Sequence, residues 1–221
     1  TESFIILDNY RDRSPVHSTS ETILHDIGDG VLCLEFTSAH NAIGEGVLRG
    51  MNEAIEIAEE GDWKGLVIGN NAANFTVGAN LMMLMMEAME GNWEDIDMIV
   101  RAFQTACGRL EHCGVPVVTA PAGLALGGGC EVTMGGNAVR AAAETYIGLV
   151  EVGVGLIPAG GGCKELLIRN TEHLFEVQKG GLYPKQIELM PFVARAFEAI
   201  ALAKVSTSGR EAATLGYLRA T

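Results

Sequence analysis

Two short, uninterrupted apolar runs constrain this chain more than any other feature. GLVIG at 65–69 and VPVVTA at 115–120 lack the alternation of a strand with one face in water. Runs of this length and kind are strands buried on both faces, as in a parallel sheet. Amphipathic segments precede and separate them. Val47, Met51, Ala54, Ile55 and Ala58 fall on one stripe of a helix over 44–60. Ile96, Ile99, Val100, Phe103, Cys107 and Leu110 do the same over 93–112. Buried strands alternating with such helices specify an α/β fold. Upstream, TILHDI, the turn GDG at 28–30 and VLCLEF read as a β-hairpin. Downstream, VRAAAETYIGL at 139–149 reads as strand, and helices are expected over 188–204 and 208–215. Residues 1–21, with RDRSPVHSTSE at 11–21, carry no usable period. They read as a linker or poorly tied arm, which leaves 22–221 as the folded domain.

Composition removes several classes of partner. Of 221 residues, 48% are hydrophobic, ample for one continuous core, and the net charge is -13 with no Lys/Arg cluster. Nucleic acid and anionic membranes are therefore poor partners. A polyanionic ligand would have to be held by local backbone donors. The five cysteines, 33, 107, 113, 130 and 163, form no CxxC pair, and their odd number does not suit a full disulfide set. They read as reduced thiols of a cytoplasmic protein. Neither the cysteines nor the five histidines are spaced for a metal, and no apolar run approaches the roughly 18 residues of a membrane span.

Three features carry chemistry. LGGGCE at 126–131 follows VPVVTA after a short loop, PAGLAL, and places consecutive glycines before a helix start, where backbone N–H groups are free and a ligand can approach closely. A tight helix-on-strand turn is the other reading. The run is neither GxGxxG nor a P-loop, so nucleotide binding is unsupported. NFTVGANL at 74–81 also leads from a buried strand to a helix start, where Asn80 is a natural N-cap. Two such turns at one sheet edge would supply two N–H donors to a carbonyl oxygen gaining negative charge. The third feature is a pair of carboxylates, Glu131 and Glu151, each flanked by apolar and glycine residues where ionisation is costly without a task or a partner.

NFTVGANL, VPVVTAPAG, LGGGCE and YIGLVEVGVGLIPAGGG, in that order over about 22–218, resemble the crotonase (enoyl-CoA hydratase/isomerase) superfamily. The variant form is similar to the hydratase portion of bacterial fused 3-hydroxyacyl-CoA dehydrogenases. The resemblance implies a crotonase-like spiral of ββα units that lacks most of the C-terminal trimerisation helices, and a preceding dehydrogenase part. It implies hydration of a 2-enoyl-CoA in fatty-acid β-oxidation, with no cofactor beyond the coenzyme A of the substrate. By the same resemblance, Ala79 and Gly128 give the oxyanion-hole N–H groups, and Glu131 and Glu151 handle the water and its protons. Ala39, Asn80, Leu81, Met82, Gly127 and Gly129 fall at substrate- or CoA-binding positions. A homo-oligomer is implied for the intact protein.

Some positions depart from the family pattern. Asn80 replaces its usual aspartate, and Ser38 and Met82 stand where basic residues contact CoA phosphates. A non-catalytic acyl-CoA-binding module or an enoyl-CoA isomerase therefore remains as an alternative. The dense methionines at 82, 83, 85, 86 and 89 are read either as core filler or as an adaptable wall for an acyl chain.

Overall fold

The computed structural model describes residues 5–179 and 188–219. Its centre is a six-stranded sheet in the order β1-β2-β3-β4-β5-β7. β1 (His17–Ser18), β2 (Thr22–Gly28) and β3 (Val31–Phe36) are antiparallel neighbours. β3, β4 (Gly65–Gly69), β5 (Val117–Ala120) and β7 (Ala138–Val139) run parallel, with Val31 opposite Gly65, Leu66 opposite Val117 and Val118 opposite Ala138. The two uninterrupted apolar runs thus lie side by side in the middle of the sheet. A second, two-stranded parallel sheet joins β6 (Gly123–Leu126) to β8 (Thr145–Gly148).

The first helix packs on the sheet through the stripe read from the sequence. α1 (Glu45–Glu60) buries Val47, Met51, Ala54, Ile55 and Ala58 and packs on β2, β3 and β4. Each large side chain in that stripe stabilises the fold by about 1.5–3 kcal/mol relative to exposure. α2 (Leu81–Glu90) follows β4, and α3 (Trp93–Glu111) buries Phe103, Ala106, Cys107 and Leu110. α4 (Gly128–Gly135) is buried over its whole length. α5 (Gly162–Lys179), α6 (Met190–Ala201) and α7 (Gly209–Leu215) complete the chain. Met190 and Phe197 on α6 are exposed, so that helix leaves an apolar face in solvent.

Four expectations need correction. The 139–149 stretch is two strands rather than one, because Ala138–Val139 pair with β5 whereas Thr145–Gly148 pair with β6. PAGLAL is not merely a loop before the glycine run, since its last four residues form β6. The 1–21 segment is not a loose arm over its described part. His17 and Ser18 pair with Leu24 and Ile23, and Arg11 reaches the buried Glu35 at 2.8 Å. The methionines of α2 are neither core filler nor cavity wall: that helix buries none of its side chains, and Met82, Met85, Met86 and Met89 are exposed. Residues 180–187 lie outside the described residues.

Candidate functional site

Two chain turns meet at the edge between the sheets. The segment after β4 returns to bridge Thr76 to Ala125 of β6, and Ala79 bridges Ile43. β6 then runs into Gly127, whose φ of 55° and ψ of -122° suit only glycine, and α4 begins at Gly128. These paths bring the Gly128 backbone against Ala79: a Cβ on Gly128 would lie 3.3 Å from the Ala79 nitrogen. Gly78 takes φ +98°, and a Cβ there would meet the Gly128 nitrogen at 3.1 Å. The sequence expectation placed both donors on one sheet. They come from two, held together by the Thr76–Ala125 bridge.

Among the described residues, neither the Ala79 nor the Gly128 N–H has a backbone acceptor, whereas Cys130 and Glu131, later in the same turn of α4, both donate to the Gly127 carbonyl. The two free N–H groups line a cavity of about 140 Å³ together with Glu131 and Glu151. Most of its remaining wall is apolar, including Leu81, Leu84, Ile99, Val100 and Phe103.

Each carboxylate is held differently. Glu131, in the first turn of α4, is buried, and its Oε1 accepts the Gly162 N–H at 2.8 Å. Burial pushes its pKa up to about 7, and the charge of Glu151 adds to the rise. The N–H groups of Gly162, Gly160 and Gly161 oppose it. Glu151 opens a short 3-10 turn, Glu151–Val154, and burial raises its pKa as well. Its Oε1 lies over Gly127, where a Cβ would come within 3.3 Å, and its Oε2 is buried without a hydrogen-bond partner among the described residues. Two proton-carrying groups beside an anion hole, in apolar surroundings, can move protons to and from a carbonyl compound bound there.

The cysteines offer no alternative nucleophile at this place. Cys107 and Cys130 are buried, which raises both thiols well above their ordinary pKa. Among the described residues no group of three His, Cys, Asp or Glu side chains is placed to hold a metal ion, and no helix is long and apolar enough to cross a membrane.

Of the residues named from sequence, Ala79, Gly127, Gly128, Glu131, Glu151 and Leu81 line the cavity. Gly129 stands behind it and serves packing, since a Cβ there would meet Thr76 Cγ2 at 2.6 Å. Asn80 is exposed and caps α2 by accepting from the Met83 N–H. Ala39 and Met82 are also exposed and are not part of the cavity wall. From the sequence Phe103 is a core residue, and Gly160 and Gly162 have no assigned role. A Cβ on Gly160 would meet both Phe103 Cε1 and Glu131 Oε2 within about 2.5 Å. The signal was there: 160–162 is a glycine run before a helix, the same arrangement that singled out 126–131.

Comparison with known proteins identifies the family and the fold. Residues 26–174 match the family described as enoyl-CoA hydratase/isomerase. A probable 3-hydroxyacyl-CoA dehydrogenase of Bacillus subtilis is 40% identical over 206 residues, 93% of this chain and 24% of that protein. A putative fatty acid oxidation complex trifunctional enzyme of Rickettsia felis is 36% identical over 153 residues, 65% of this chain and 21% of the relative. The chain therefore spans less than a quarter of the length of these relatives. Among solved structures, an enoyl-CoA hydratase from Polaromonas sp. JS666 superposes with a TM-score of 0.71 at 22% identity, covering 89% of this chain and 68% of its own. One from Bacillus anthracis gives 0.69 at 23%, covering 90% and 68%. The fold is that of the crotonases, and the chain belongs to the enoyl-CoA hydratase/isomerase family.

Proposed function

We propose that this site adds water to 2-enoyl-CoA thioesters, giving 3-hydroxyacyl-CoA. One observation carries the reading: the buried Glu131, the half-buried Glu151 and two backbone N–H groups without a backbone acceptor among the described residues line a single small apolar cavity. The thioester oxygen lies between the N–H groups of Ala79 and Gly128, which stabilise the enolate-like state as negative charge develops. One carboxylate takes a proton from water as its oxygen attacks the β-carbon, and the other governs the proton delivered to the α-carbon. Glu131, with its pKa near neutrality, is suited to accept a proton and give it back within one cycle. No cofactor is needed beyond the coenzyme A carried by the substrate.

The names of the Bacillus subtilis and Rickettsia felis relatives support a place for this reaction in fatty-acid oxidation, within a longer polypeptide that also oxidises the 3-hydroxyacyl product. A cytoplasmic, homo-oligomeric protein fits that role.

Crotonyl-CoA absorbance should fall when the full-length protein is added. Glu131→Gln and Glu151→Gln should each lower the rate by at least about 10²-fold. If neither substitution slows a measurable rate, the two carboxylates do not have these roles. Thioester binding without turnover would favour a non-catalytic acyl-CoA module, and a moved double bond with no hydroxyl would favour an isomerase.

A further inference from the structure

Glu131 is the partition between two cavities. Its front faces the apolar cavity beside Ala79 and Gly128. Behind it lies a second cavity of about 340 Å³, with Gln104, Glu111, Lys164 and Glu165 in its wall. Glu131 and Gly160 line both. We propose that the rear cavity is the route by which water reaches the reacting carbons while the acyl thioester fills the front, an inference that rests on the hydratase reading.

The chemistry makes a water route necessary. Each turnover consumes one water: its oxygen bonds to the β-carbon, one of its protons passes to a carboxylate, and a carboxylate returns one proton to the α-carbon. The front cavity, at about 140 Å³, has room for only a few molecules as large as water. Its apolar wall offers them few partners. An acyl thioester seated there displaces them and closes the approach.

The rear cavity is built to stay wet. Glu165 is buried, and among the described residues its Oε2 has no hydrogen-bond donor, while Arg169 Nε faces it at 3.8 Å and is itself without an acceptor. Lys164 Nζ pairs with Glu165 Oε1 at 2.7 Å and lies 3.6 Å from Glu111 Oε2. Buried polar atoms left without protein partners are where water orders. Across the partition, Glu151 Oε2 is the other buried oxygen without a donor at this place. A water passing Glu131 therefore moves from one unsatisfied carboxylate to the next.

Gly108 provides the test. It lies in α3 on the rear-cavity wall, and a Cβ built on it meets no atom within 4 Å. A larger side chain there can narrow the rear cavity without touching the front. It also replaces a glycine that weakens the helix interior. Gly108→Ala, Gly108→Val and Gly108→Leu would be made in the full-length protein and assayed with crotonyl-CoA, with thermal unfolding followed in parallel. The expected result is a kcat that falls with side-chain volume, by about fivefold or more for leucine, while KM stays constant, the pattern of a lost step after binding. The valine variant gives the same reading if the leucine variant does not fold. An unchanged kcat across folded variants of an active parent overturns the water route alone. Absence of hydration by the unsubstituted protein overturns the hydratase reading, and the water route with it.

Discussion

The Gly162 N–H donates to Glu131 Oε1 across 2.8 Å, so the first turn of α5 holds the carboxylate that α4 carries. A helix N-terminus favours a negative charge, and burial disfavours it. Burial wins, which leaves Glu131 with a pKa of about 7.

That balance makes stability depend on pH. Below the ordinary carboxylate value of 4.5 the group is protonated in the folded and unfolded chain alike, and its burial is not penalised. As pH rises toward 7 the unfolded chain loses the proton first, so the folded state loses stability, by about 3 kcal/mol once both are ionised. Glu131→Gln should escape this loss. Urea unfolding at pH 5 and pH 8 should show the variant gaining on the parent at the higher pH. An equal difference at both pH values would contradict the assignment.

Catalysis should show the same group with the opposite sign. If ionised Glu131 accepts the proton of water, kcat/KM for crotonyl-CoA should climb through about pH 7. A profile flat from pH 5.5 to 8.5 would remove Glu131 from that role.

Gly127 occupies backbone space where a side chain is strained, and a Cβ would press on Glu151 Oε1 at 3.3 Å. Gly127→Ala should cost about 1–3 kcal/mol of stability. It should also lower kcat by on the order of 10²-fold, by displacing the carboxylate and the adjoining donor. Thermal unfolding and steady-state kinetics read the two effects separately.

Phe103 is wedged under both glycine runs, within reach of a Cβ on Gly128 or on Gly160. Phe103→Ala should destabilise the protein by about 3–5 kcal/mol. Folded material should retain weaker turnover, because the Gly128 backbone and Glu131 lose their common support.

Arg11 lies outside the domain boundary read from the sequence, yet its guanidinium meets Glu35, a carboxylate 2% exposed that also binds His25 at 3.0 Å. Arg11→Ala should cost about 1–3 kcal/mol by leaving a buried oxygen short of a donor. Urea unfolding within about 0.3 kcal/mol of the parent would mean that the segment is not held by this contact.

The features legible in the sequence were those set by local pattern. GLVIG and the stripe of Val47, Met51 and Ile55 declare burial through residue type alone. Glu131 and Glu151 stood out because a carboxylate among glycines and aliphatic residues is costly. What escaped depended on distant partners. β6 has only four residues behind Pro121 and a Gly123 at φ +63°, and it is a strand because β8 lies beside it. α5 begins inside a glycine run and carries Lys164, Glu165 and Arg169 within two turns, so its period is weak. The arm escaped because two residues of pairing and one arginine leave no periodicity to read.

The Thr76–Ala125 bridge has a further consequence for how this scaffold tolerates change. Neighbouring strands sit about 4.8 Å apart whatever side chains they carry, so the gap between the two amide donors is set by main-chain pairing. Insertions near Ala72, in the exposed bend between Asn70 and Asn74, lengthen a surface excursion upstream of that ruler. A single residue inserted between Thr76 and Ala79 shifts one donor along its strand and leaves the other where it was. Within one loop, variation is cheap on one side of Thr76 and prohibitive on the other.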